Sequence, residues 1–190
     1  MNFLHRYIDH FIENEEGSQS IELVFMAPLL VWTVCATLAF TDAFRTRAVA
    51  AEAVAVIADT LSRQTNPIDD SYLDGLASVA GKLTGYEDDV SIRVSQVYCD
   101  KNCEKSSRRL KVAFSEKRGV FNKLQKRDLR SGEMRERIPN MSLGDRIILV
   151  ETSFTHKPIM NVGLKETEVE MHQATRMRFA PQLCWNECNP

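Results

Sequence analysis

The chain has 190 residues, of which 26% are charged and 44% hydrophobic, and its formal net charge is −2. These values exclude a wholly disordered chain, a collagen-like repeat and a coiled-coil array. With this charge the protein as a whole is not an electrostatic nucleic-acid binder, and Gly (8) and Pro (6) are too scarce for a dominant flexible linker.

Residues 1–17 form a polar stretch with one fixed positive charge, Arg6, against Asp9, Glu13, Glu15 and Glu16. Phe3, Leu4, Tyr7, Ile8, Phe11 and Ile12 recur there at helical spacing, which suits a short helix lying on a membrane surface. From Leu23 to Thr41 come 19 residues without a charge. At about 1.5 Å per residue that run covers roughly 28 Å, close to the ~30 Å hydrocarbon core of a bilayer. One membrane segment near the N-terminus is therefore expected.

Three processing routes are open. A secretory signal peptide fits poorly, because its apolar region is usually shorter and its leader more basic. A plain uncleaved signal anchor is the second. The third turns on Gly17-Ser18-Gln19-Ser20-Ile21-Glu22, in which a single carboxylate stands five residues after a glycine at the edge of the apolar run. A charge in that position is costly, less so near the interface than at a helix centre, and needs a partner. A cut after Gly17 creates one, the Ser18 ammonium, a helical turn away.

This pattern resembles the type IV prepilin signal. The stretch Ser18, Ser20, Ile21, Glu22, Leu23, then Ala27-Pro28-Leu29-Leu30, is similar to the TadE-like pseudopilins of the Flp/Tad tight-adherence pilus system. The likeness covers about 25 residues closely. It departs from the family in its leader, which is acidic where the family's leaders are rich in Arg and Lys. The resemblance implies cleavage between Gly17 and Ser18 by a prepilin peptidase. It also gives Glu22 a role in neutralising an amino terminus and bringing helices into register. The partners implied are other pilin or pseudopilin subunits and the Tad inner-membrane assembly proteins. The location implied is a single pass through a bacterial inner membrane with the C-terminal domain periplasmic, and incorporation into an extracellular pilus.

The helical pattern continues past Asp42, where Ala48, Val49, Val54, Ile57 and Leu61 recur at helical spacing up to Asn66-Pro67. One long helix from about Ile21 to about Arg63 is expected, with residues 18–41 as its membrane part and 42–65 as its continuation. Its outer stripe is expected to pack on the following domain, with neighbouring subunits as the alternative. Pro28 marks a possible kink.

Residues 66–190 read as an α+β domain. Tyr72, Leu73, Leu76, Val79, Ala80 and Leu83 form one face of a second helix, with Asp69, Asp70 or Ser71 as its cap and Gly85 as its stop. The period then changes to two. Val90, Ile92 and Val94 alternate with Ser91, Arg93 and Ser95; Leu110, Val112 and Phe114 form a second strand, Arg146 to Thr155 a third, and Thr167 to Phe179 a fourth. About four antiparallel strands, buried on one face under two helices, are expected.

Residues 105–130 hold ten Lys and Arg against Glu116 and Asp128. The expected arrangement is a solvated surface whose cations pair with Glu166, Glu168 and Glu170 on a neighbouring strand. The alternative is a patch for anionic lipid, polysaccharide or an acidic subunit. With only Phe114 and Phe121 interleaved, single-stranded nucleic-acid binding has no support.

Cys35 lies in the apolar run as a small apolar residue. Cys99, Cys103, Cys184 and Cys188 form two C-x3-C clusters that allow three pairings. Cross-links between the clusters are expected, and a four-thiolate zinc site is the runner-up. His156 and His172 lack a nucleophile or metal-ligand spacing, and no phosphate loop or hydrolase motif is present. A non-enzyme without cofactor or metal is the expectation, and an anchored periplasmic binding domain or enzyme is the other class.

Overall fold

The computed structural model describes residues 17–105, 107–160 and 162–188. The polar leader upstream of Gly17 lies outside the described residues. The fold is α+β: a long N-terminal apolar helix followed by a small domain with a four-stranded antiparallel sheet.

Helix α1 runs unbroken over Gly17–Ser62, through Pro28. Its first half is long and apolar enough to cross a membrane, and little of it is buried. Leu23, Val24, Phe25, Leu29, Leu30 and Trp32 are all exposed. Thr33, Thr37 and Thr41 return their hydroxyls to the carbonyls of Leu29, Thr33 and Thr37, each at 2.8 Å. The threonine hydroxyls of the run are thus satisfied inside the helix, as a hydrocarbon environment requires.

The chain divides into two compact units. Among the described residues, one comprises α1 from Gly17 to Asp42 together with the loop between Pro158 and Lys165. The other comprises Ala43–Lys157 and Glu166–Pro190, and holds the sheet and the outer half of α1.

In the second unit, α2 (Asp70–Thr84) starts at Asp69, whose carboxylate accepts the Tyr72 N–H at 2.8 Å. It stops at Gly85, whose φ of 80° is the left-handed conformation that glycine adopts without strain. Strands β1 (Ser91–Lys101), β2 (Arg109–Arg118), β3 (Arg146–His156) and β4 (Thr167–Arg176) are ordered β2-β1-β3-β4. The excursion from β2 to β3 carries a 3-10 turn at Asp128–Arg130 and a short helix α3 (Gly132–Arg137).

One sheet face packs Ile92, Val94, Ile148 and Val150 on Val54, Ile57, Ala58 and Leu61 of α1 and on Leu73, Leu76 and Ala80 of α2. The expected stripe on α1 is present at Val54, Ile57 and Leu61. Ala48 is exposed, and Ala50, Ala53 and Ala58 are the small residues that go inside.

The other face is covered as well, which corrects the expectation of a sheet buried on one side. Val97, Cys99, Ile147 and Leu149 pack under Leu124, Leu129, Ile138 and Met141 of the excursion. The physical reason lies in the polar positions of β1 and β2. Ser91 Oγ accepts the Val120 N–H at 3.1 Å, and Ser115 Oγ accepts the Leu124 N–H at 2.8 Å. Arg93 donates to the Asn122 carbonyl at 2.7 Å. Alternating polar residues that read as solvent-facing are instead the hydrogen-bonding bed for a segment of backbone. Gly119, with φ of 81°, opens that segment where a Cβ would stand 2.2 Å from Ser91 Oγ, so a side chain there has no room.

Candidate functional site

The candidate residues that the sequence singles out lie at the head of α1. Gly17 and Ser18 form the first turn of the described helix, and Glu22 follows four residues after Ser18, on the same helical face. Glu22 is exposed and lies among exposed Ile21, Leu23 and Val24. It is the only acid between Gly17 and Thr41. A carboxylate held this way can receive an ammonium or guanidinium from outside its own helix.

The cysteines correct the expected pairing. Cys99 is bonded to Cys103, with Cα atoms 5.8 Å apart, and Cys184 to Cys188, at 5.0 Å. Each bridge stays within its own cluster. The tail is tied to the body by backbone instead. Ile68 N–H donates to the Cys184 carbonyl at 2.9 Å, and Asn186 N–H donates to the Ile68 carbonyl at 2.8 Å. Leu183 and Trp185 then pack on the core. Cys35 is a free thiol. Among the described residues no cluster of three or more His, Cys, Asp or Glu side chains is placed to hold a metal ion.

The basic segment also differs from expectation. β2 and β4 occupy opposite edges of the sheet, so the cations of β2 do not meet Glu168 and Glu170 across a strand pair. Arg109 and Lys111 pair with Asp100, and Arg118 with Asp70 and Asp74 on α2. Arg109, and after it Lys111, hold the Asp100 carboxyl below its usual range. The Asp74 and Asp70 carboxylates hold the Arg118 guanidinium above its ordinary value.

Two buried polar groups carry no sequence signal. Arg108 sits inside the charge run, yet it is buried. Its guanidinium donates to the carbonyls of Arg135, Ile138 and Pro139 and to Asn140 Oδ1. It therefore closes the C-terminal end of α3. Burial, and secondarily Arg135, push its pKa down. Glu151, 1% exposed on β3, is held by Arg93 at 2.6 Å and Arg137 at 3.1 Å. His156 Nδ1 lies 2.7 Å from the Tyr86 hydroxyl.

Above this network, Arg93, Phe121, Lys123, Arg127, Glu168 and Glu170 line an open groove of mixed charge. Its ions largely answer one another or their neighbours: Arg93 with Glu151, Lys123 with Glu116, Glu170 with Arg137.

No protein-family model, curated protein or solved structure matches this chain.

Proposed function

We propose that this protein is a membrane-anchored minor pseudopilin of the TadE-like kind, cut between Gly17 and Ser18 by a prepilin peptidase. It joins a Tad-type pilus assembly that serves surface adherence. The observation that supports the reading best is α1. It presents an exposed apolar run with one acid, Glu22, a helical turn from the position where cleavage would leave an amino group. Glu22 then neutralises the Ser18 ammonium of its own or a neighbouring chain, and the apolar run holds the subunit in the inner membrane until assembly. The two disulfides suit an oxidising compartment such as the periplasm for the sheet domain. Other pilin or pseudopilin subunits and the Tad inner-membrane proteins are its partners in this reading.

The deciding experiment is the N-terminal sequence of the protein purified from membranes of its own cell. A start at Ser18 supports the proposal. A start at Met1 replaces it with an uncleaved anchor, and a start beyond residue 40 with a secreted domain.

A further inference from the structure

The loop that joins β3 to β4 is unlike an ordinary hairpin tip. Such tips favour Gly, Asn, Asp and Ser and face water. This one reads Pro158-Ile159-Met160-Asn161-Val162-Gly163-Leu164, without an acid, bracketed in sequence by Lys157 and Lys165. The Val162 N–H bonds back to the Met160 carbonyl at 3.0 Å, and Gly163 takes φ of 100°, so the segment turns tightly. Ile159 points outward, 73% exposed.

The loop's place in the fold explains where that apolar tip belongs. It groups with α1 up to Asp42 rather than with the sheet that it connects. Within that unit, Ala39 is 1% exposed although the adjacent Leu38 is 57% exposed. Ala39 lies two residues inside the end of the uncharged run at Thr41, about 3 Å by the helical rise. The loop thus shares a unit with the part of the helix that stands at the boundary between hydrocarbon and headgroups.

We infer that the start of this loop, at Pro158 and Ile159, is a second membrane-contacting element, dipping Ile159 into the interface of the bilayer that holds α1. The inference rests on the reading of α1 as a membrane span. The Ile159 side chain enters the acyl boundary, to the shallow depth typical of interfacial segments. Exposed Lys157 stands at the headgroup level, where anionic phosphates favour it. An exposed Ile on a tight, acid-free loop costs solvation in water and gains it back in lipid.

The test uses the full chain reconstituted in phosphatidylcholine–phosphatidylglycerol vesicles. Cys35→Ala removes the free thiol, and an environment-sensitive fluorophore is placed at Ile159→Cys, at Leu30→Cys in the apolar run, or at Leu143→Cys in an exposed loop of the sheet unit. Mass mapping of both disulfides confirms that each variant folds. The expected result is a blue-shifted emission at position 159 that loses most of its intensity to bromine-labelled acyl chains, as position 30 does. Position 143 is quenched by aqueous iodide instead. Quenching of position 159 by iodide, or shielding from both agents, overturns the inference while position 30 still reports the span. Failure of position 30 to meet bromolipid overturns the span, and the inference with it.

Discussion

Glu151 and Arg93 face each other across the central strand pair of the sheet, 2.6 Å apart, with the carboxylate 1% exposed. Arg137 reaches the same carboxylate from α3 at 3.1 Å. One acid therefore holds a strand and the covering excursion together. Removing one partner of such a buried group leaves the others uncompensated. Glu151→Ala is expected to cost about 3–5 kcal/mol of unfolding free energy. Urea denaturation of the full chain, followed by far-ultraviolet circular dichroism, checks it. An unchanged midpoint would show that the network is dispensable.

Arg108 makes a different prediction, because its partners are neutral acceptors spread around one planar group. Arg108→Ala should destabilise the protein by about 2–3 kcal/mol, in the range for hydrogen bonds to a charged donor. Arg108→Lys should recover less than half of that loss, since an ammonium lacks the guanidinium's fork of donors. Full rescue by lysine in the same denaturation assay would contradict the geometry.

Each disulfide closes a very short loop, with a sequence separation of 4. The chain-entropy model then gives about 2 kcal/mol per bridge, well below the value for loops that would join the two clusters. The Cys184→Ser/Cys188→Ser double variant is expected to fold with a modest loss of stability. Non-reducing peptide mapping should join Cys99 to Cys103 and Cys184 to Cys188. Any peptide linking the two clusters would refute this connectivity.

Acid should weaken the start of α2. The Tyr72 N–H, and then the Ser71 hydroxyl, hold the Asp69 carboxyl below its usual pKa in the folded protein. The folded state keeps this charge to lower pH than the unfolded state. Its stabilising contribution is complete above the ordinary carboxylate range and is lost as pH falls through the depressed value. Asp69→Asn keeps a capping oxygen without a titrating group. Its stability should therefore change less with pH between neutrality and acid than that of the parent chain, as read from thermal midpoints across a pH series.

On the pseudopilin function proposed above, Glu22 is expected to matter for assembly and not for folding. Glu22→Ala should leave cleavage after Gly17 and both disulfides intact, while recovery of the protein in sheared surface fibres falls. Unchanged recovery would remove Glu22 from the assembly step.

Much of this architecture is legible in the residues. Asp69 and Gly85 delimit α2 as their chemistry demands, and the uncharged run from Leu23 to Thr41 stands out by length alone. Three of the strands follow from period-two alternation, and β3 from an apolar run that turns to alternation. What misleads is the meaning of the polar positions. Ser91, Ser95 and Arg93 look like a wet face because sequence periodicity registers polarity and not satisfaction; here Ser91 and Arg93 bind an overlying chain segment, and Ser95 bonds Ser115 on the neighbouring strand. The cysteine pairing is hidden for a related reason. Two clusters of equal spacing bond equally well within or between themselves until the backbone decides which sulfurs meet. Arg108 has no signal at all, since nine other cations surround it in the segment 105–130.

The strand order β2-β1-β3-β4 has a consequence for how the domain comes into being. The hairpin of β1 and β2 is complete once Arg118 has been made, but β3 begins only at Arg146. A lone hairpin is marginally stable in water. Until the chain has been made as far as His156, β1 lacks its second neighbour, and Val97 and Cys99 lack the Ile147 and Leu149 side chains beside them. Closure is therefore a late, long-range event that is slow by its topology. A nascent chain that stops before that point leaves the β1 edge unpaired and apolar side chains open to other chains.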